Sequence, residues 1–326
     1  MARYSYGSST ACPGLFDDPY SKATVAVECI EIVALIIIGC LWLGAQKRAP
    51  YRFEVLKWHN FGLAVAFWLL YVFINFIRFF LVGCNVVFTI ANFWRMSIVS
   101  HIFYWIAMCL TLVAVLLAIP NGLDRLRNPA ATSSSGWKRV AHVLLGLFVI
   151  FTIVYLGLFS WAYQSAIGAY DSYEYFTRSE PSAFPEYIYV YMALQTAWAV
   201  LAIAAITKML LSLRAASAAW SVPSALRGWV YALAFSLFAY AFTRTFFVYW
   251  GTVGNNPIRW TDAFLAQEIC ALVLPTFFVL VALLATVQVA QSVSGVLAHP
   301  DLYGFGRMPD EADVERNQGG FDGIVR

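Results

Sequence analysis

The chain has 326 residues, of which 61% are hydrophobic, 17% aromatic and only 12% charged. Soluble domains carry about 25% charged residues, so the composition excludes an ordinary soluble domain and points to a polytopic membrane protein. The formal net charge of +3 is too small to suggest a nucleic-acid partner; what matters is where the charges sit.

A spanning helix needs about 20 mostly apolar residues. Taken in order, seven stretches qualify: roughly 22–45, 58–83, 95–119, 139–163, 186–213, 227–250 and 261–291. Most are apolar all round and none alternates with period two, which speaks for helices rather than barrel strands. The predicted fold is therefore all-α: a polytopic, seven-transmembrane-helix bundle over residues 22–298. A short polar tail, 1–21, precedes it, and an acidic, glycine-rich tail, 299–326, follows it with the composition of a mobile segment.

Orientation follows from lysine and arginine in the loops. The first loop carries Lys47, Arg48, Arg52 and Lys57, the third Arg125, Arg127, Lys138 and Arg139, and the fifth Lys208, Arg214 and Arg227. The opposite loops hold only Arg95, Arg178 and Arg259. The N-terminus is thus expected outside and the C-terminus in the cytoplasm, in the plasma membrane rather than an internal one. Cys12 and Cys84 then share the outer side, where a disulfide between them is open to them, while Cys29, Cys40, Cys109 and Cys270 fall in apolar runs. The third loop, 128–136, reads as a flexible linker, and the tyrosine-rich fourth loop, 164–185, as interfacial aromatics or a lid.

Ionisable groups inside these stretches carry the functional signal. A charge in the bilayer costs roughly 2.5–3.5 kcal/mol on insertion scales. At 1.5 Å per residue, Glu28 and Glu31 in the first helix, Asn75 and Arg78 in the second, His101 in the third, Gln195 in the fifth, Arg244 in the sixth and Glu268 in the seventh all fall about 7–13 Å from the outer end. Glu28 and Glu31 are spaced i,i+3 and share a face. The expectation is an ion-pair and hydrogen-bond network in the outer leaflet, lining a pocket with Trp94, Tyr104, Trp105, Phe246, Tyr249 and Trp250. The competing reading is a structural network that locks the packing, its arginines snorkelling outward. Arg78 precedes His101 by 23 residues and Arg244 precedes Glu268 by 24, which suggests two repeated hairpins around the fourth helix.

Other chemistries find less support. Haem would need histidines facing each other across helices, and of the 4 histidines only His59 and His142 share a level. No metal-binding cluster, cofactor site or nucleophile with a base emerges, so an enzyme is not the expected reading. Asp124-Arg125-Leu126 stands where seven-helix receptors keep an acidic-Arg-aromatic triplet, but Pro120 is expected to end the helix before it.

The run from Ala241 to Pro275, with Arg244 in the sixth helix, Gly251 past its end and Glu268 in the seventh, resembles the fungal seven-helix family of lipid-translocating-exporter type. That family also pairs an arginine-bearing sixth helix with a glutamate-bearing seventh, and the agreement in length and orientation covers most of the chain. The resemblance implies handling of phospholipids or sterols, or tolerance of toxic amphiphiles. Fungal seven-helix orphan receptors are similar as well. Three readings therefore stand: a protein that binds or translocates an amphiphilic molecule through the outer polar pocket, with Arg78 and Arg244 on an anionic group and Glu28, Glu31 and Glu268 on a cation or proton; a receptor with a cytoplasmic partner at residues 120–139 and 208–227; and a structural membrane protein.

Overall fold

Long apolar sequences in a bilayer satisfy their backbone only as helices or closed barrels, and among the described residues every regular element is a helix. The structure, a computed structural model, describes residues 19–48, 58–84, 90–127, 135–171, 183–219, 222–253 and 262–298; both tails and the 128–134 linker lie outside them. The helices are α1 (Pro19–Arg48), α2 (Trp58–Gly83), α3 (Ile90–Val113), α4 (Ile119–Arg127), α5 (Ser135–Asp171), α6 (Ala183–Ala219), α7 (Ser224–Val253) and α8 (Asp262–Ala298), with a π-helical turn at Ala114–Ala118 joining α3 to α4. The third span runs through α3, the π turn and α4, so the described helices make 7 spans. The chain is a multi-pass membrane protein.

The spans form a closed ring in which α1, α2, α3, α5, α6, α7 and α8 each pack on the next and α8 returns to α1. The third span leans inward, so that α4 touches α6 and α8 across the ring. It is the most buried of the seven. Lipid is as apolar as leucine, so association depends on close packing and polar contacts rather than on escape from water. The sequence of α1 shows this directly. Ser21, Thr24, Glu28, Glu31, Leu35 and Ile38 are buried at alternating three- and four-residue spacing, with Ala45 two turns on, while Ile30, Val33 and Ile37 point outward. One stripe faces the bundle, and the acidic residues lie in the N-terminal half of the helix. At the other end of the same contact, a Cβ on Gly62 would overlap the Trp42 ring; glycine lets α2 approach α1 there.

Two sequence expectations fail at helix ends. Pro120 does not stop the third span. Having no N–H, it cannot bond the carbonyl of Leu116; the helix widens into the π turn and continues to Arg127. Trp137 Nε1, from α5, donates to that Leu116 carbonyl at 3.0 Å. Likewise, residues 164–171 are not loop but the last turns of α5, and α6 runs on to Ala219, which puts Lys208 well inside a helix. There its ammonium donates to Asp124 of α4 at 2.9 Å. Cys84 is disulfide-bonded and Cys29, Cys40, Cys109 and Cys270 are free, so the partner of Cys84 lies outside the described residues.

Candidate functional site: a tyrosine-caged arginine facing two glutamates

Arg244 sits on the inward face of α7, one turn outward of Tyr240. Its Nη2 donates to the Tyr191 hydroxyl of α6 at 3.2 Å. Its guanidinium carbon lies 5.6 Å from the centre of the Tyr104 ring on α3, within cation–π range and worth about 2 kcal/mol where water is absent. Tyr104 and Tyr240 share a hydrogen bond of 3.0 Å between hydroxyls, and the ring of Tyr71, from α2, lies 5.2 Å from that of Tyr104. Four tyrosines from four helices thus surround one cation. Aromatic faces replace part of the solvation that the guanidinium leaves behind on entering the bilayer.

Opposite the cage stand Glu28 and Glu31, only 9% and 7% exposed. They, Asn75 and Arg244 line one partly open cavity of about 90 Å³, floored by Trp68, Tyr104 and Tyr240 and closed on the α8 side around Pro275. Arg244 acts electrostatically on Glu31 and Arg78 on Glu28. Two buried atoms at this site, Arg244 Nε and Glu28 Oε2, have no hydrogen-bond partner among the described residues. A buried charge-bearing group without a partner is expensive, so one donor and one acceptor remain available to whatever occupies the cavity.

The other expected residues are distributed around this centre. Gln195 is buried beside Tyr191 and does not reach the cavity. His101 stacks on Phe159 of α5 at 4.4 Å between ring centres, with Nδ1 at 3.2 Å from the Ser97 carbonyl. Glu268 is half-buried. Helical spacing puts it on the same face of α8 as the cavity-lining Ala271 and Leu272, one turn further out. The described hydrogen bond of Arg244 goes to Tyr191 rather than to Glu268. Of the expected aromatic lining, Tyr104 and Trp105 are buried, whereas Phe246 and Trp250 are exposed on the outside of α7 and Tyr249 turns to α6, where its hydroxyl shares a 2.8 Å hydrogen bond with Thr196; the side chain of Trp94 is outside the described set. An apolar helix with two faces gives no hint which aromatic turns inward.

Sequence reasoning overlooked Tyr71, Tyr191 and Tyr240. The signal was present: Tyr71, Asn75 and Arg78 share one face of α2, Tyr191 lies one turn from Gln195, and Tyr240 one turn from Arg244. Asn75, His101, Gln195 and Arg244 each carry a tyrosine one turn away. Among the described residues no three His, Cys, Asp or Glu side chains converge as metal ligands would. No family model, no curated protein and no solved structure matches this chain.

Proposed function

We propose that the protein binds the polar head of an amphiphilic small molecule in the cavity between Arg244 and the Glu28–Glu31 pair, as the recognition step of lipid or amphiphile handling. The observation that carries this reading is the pair of unpartnered buried atoms, Arg244 Nε and Glu28 Oε2, on the wall of one cavity. They ask for a head group that both accepts and donates. Ligand pockets for whole small molecules are typically 300–1,000 Å³; at about 90 Å³ this cavity takes a compact head and leaves the tail to the bilayer. Glu268, at the outer approach, adds a carboxylate on the path of a cationic head. The resemblance in the Arg244–Glu268 region to exporters of the lipid-translocating type points in the same direction.

The test is binding of N-dodecylethanolamine, an amphiphile with a small amino-alcohol head, to the full chain in nanodiscs, with dodecane as the headless control. Saturable binding of the amine alone, weakened about tenfold or more by Glu28→Gln, is the expected result; about tenfold corresponds to 1.4 kcal/mol. Equal uptake of both compounds, or no change with Glu28→Gln, would count against the proposal.

A second reading has one observation of its own. The Asp124–Lys208 pair ties the inner end of the third span to α6, where a receptor could hold its resting state. That reading calls for a partner at residues 120–139 and 208–227 whose capture depends on this tie: Asp124→Asn should change it several-fold, and unchanged capture would dismiss the idea.

A further inference from the structure

A second cavity, on the opposite half of the bundle, is separate from the one between Arg244 and the Glu28–Glu31 pair. It is a groove of about 780 Å³ between α2 and α5, with the third span as its floor. Among the described residues, α2 and α5 both pack near the third span but not closely on each other. The floor is the π turn itself, with Ala114, Leu117 and Ala118 lining it; two alanines and a widened turn keep it low. Such π turns recur at functional sites.

Its two ends differ in chemistry. Along α5, the lining runs from Lys138 and His142 through Gly146 to Val149 and Ile150. That is about 18 Å of helix, slightly more than one leaflet of a hydrocarbon core about 30 Å thick. At the loop end, Arg125 faces the groove from α4 beside Lys138 and His142, and His142 is anchored by its Nδ1 contact to the Lys138 carbonyl at 2.6 Å. Among the described lining residues there is no aspartate or glutamate. At the other end, Val149 and Ile150 are 40% and 58% exposed, so the groove runs out onto the lipid-facing surface. A Cβ on Gly146 would meet no atom within 4 Å; the space beside it is open.

We propose that this groove holds one anionic phospholipid of the leaflet on the basic-loop side, phosphate against Arg125 and Lys138 and one acyl chain along Gly146 to Ile150. The polarity decides the occupant. A cationic end at headgroup depth and an apolar trough one leaflet long match a negatively charged lipid, and basic pockets between spans on the cytoplasmic side are where such head groups bind. The site is independent of the outer cavity and does not rest on the function proposed for it.

The full chain is reconstituted in nanodiscs of palmitoyl-oleoyl phosphatidylcholine and phosphatidylserine in equal amounts, and the lipids it retains after gentle extraction are counted by native mass spectrometry. One phosphatidylserine per chain is expected, preferred about tenfold or more over phosphatidylcholine. Lys138→Glu should remove the preference and Lys138→Arg keep it. Gly146→Leu should fill the trough and abolish retention of either lipid, with the unfolding midpoint in pure phosphatidylcholine unchanged. If Gly146→Leu does not fold, the two Lys138 variants decide. Equal retention of both lipids by the wild type, retention unaffected by Lys138→Glu, or wild-type retention by a folded Gly146→Leu would overturn the assignment.

Discussion

The two halves of the bundle solve opposite problems. The half at the N-terminal end of α1, expected to be the outer one, gathers ionisable groups around a small cavity: Glu28, Glu31 and Arg244 meet around about 90 Å³. The other half, expected to be the inner one, holds a wider space: its groove of about 780 Å³ carries, among the described residues, cations only at its loop end. Between them lies a layer of nearly inaccessible aromatics, Trp68, Tyr104, Trp105, Trp198 and Tyr240. Polar content and cavity volume are therefore separate quantities in this protein. Charges inside a membrane must be surrounded, and surrounding Arg244 with four tyrosines uses up the room that a large ligand would need. Apolar walls carry no such obligation, and a groove between them can be filled by lipid.

That contrast can be broken first at Arg244. Arg244→Leu leaves Glu31 facing no cation in a buried site and should cost about 3–5 kcal/mol, read as a lower midpoint in detergent-titration unfolding. Arg244→Lys should recover only part, because an ammonium lacks the planar fork that meets both Tyr191 and the Tyr104 face. A loss below about 1 kcal/mol would mean that the cage holds nothing together. Next comes the α1–α2 approach at the inner end. Gly62→Leu drives a side chain into Trp42 and should cost about 1–3 kcal/mol, while the outer layer, followed by ligand binding, stays intact.

Smaller effects sharpen the inner half. Trp137→Phe removes the donor that satisfies the Leu116 carbonyl opposite Pro120, for about 1–2 kcal/mol; slowed hydrogen exchange at the π turn would contradict this role, and faster exchange is expected. Asp124→Asn loosens a pair whose side chains are each 20% exposed. Its effect on stability should be at most about 1 kcal/mol and should shrink as salt rises.

What could be read in the sequence follows from what a bilayer demands. The seven spans were legible because hydrocarbon tolerates only apolar helices of sufficient length. Their ends were not, because apolarity marks where lipid stops and not where the helix stops: α5, α6 and α8 each run 37 residues, past the apolar core into polar sequence. Lys208, inside the expected 186–213 span, reads as one of the loop charges because it lies near that span's end, and its pairing with Asp124 was missed. The polar layer was legible by depth, since Glu28, Glu31, Asn75 and Arg244 do converge. Its cage was not, because a tyrosine in an apolar run reads equally well as lipid-facing or inward. Tyr249 and Tyr240 differ in position on the helix and in nothing else the sequence displays. The inner groove left no trace at all. It arises from the spacing of α2 and α5 and from a widened turn, and neither is written in any single residue except Pro120 and Gly146.

The central claim is that Arg244 and Glu31 belong to one network across the outer cavity. A double-mutant cycle of Arg244→Leu and Glu31→Gln, measured by detergent-titration unfolding, tests it directly. Residues that share a network couple by about 0.5–3 kcal/mol, and a coupling above about 1 kcal/mol is predicted, the double variant being less damaged than the sum of the single ones. Strict additivity of the two losses would contradict the account.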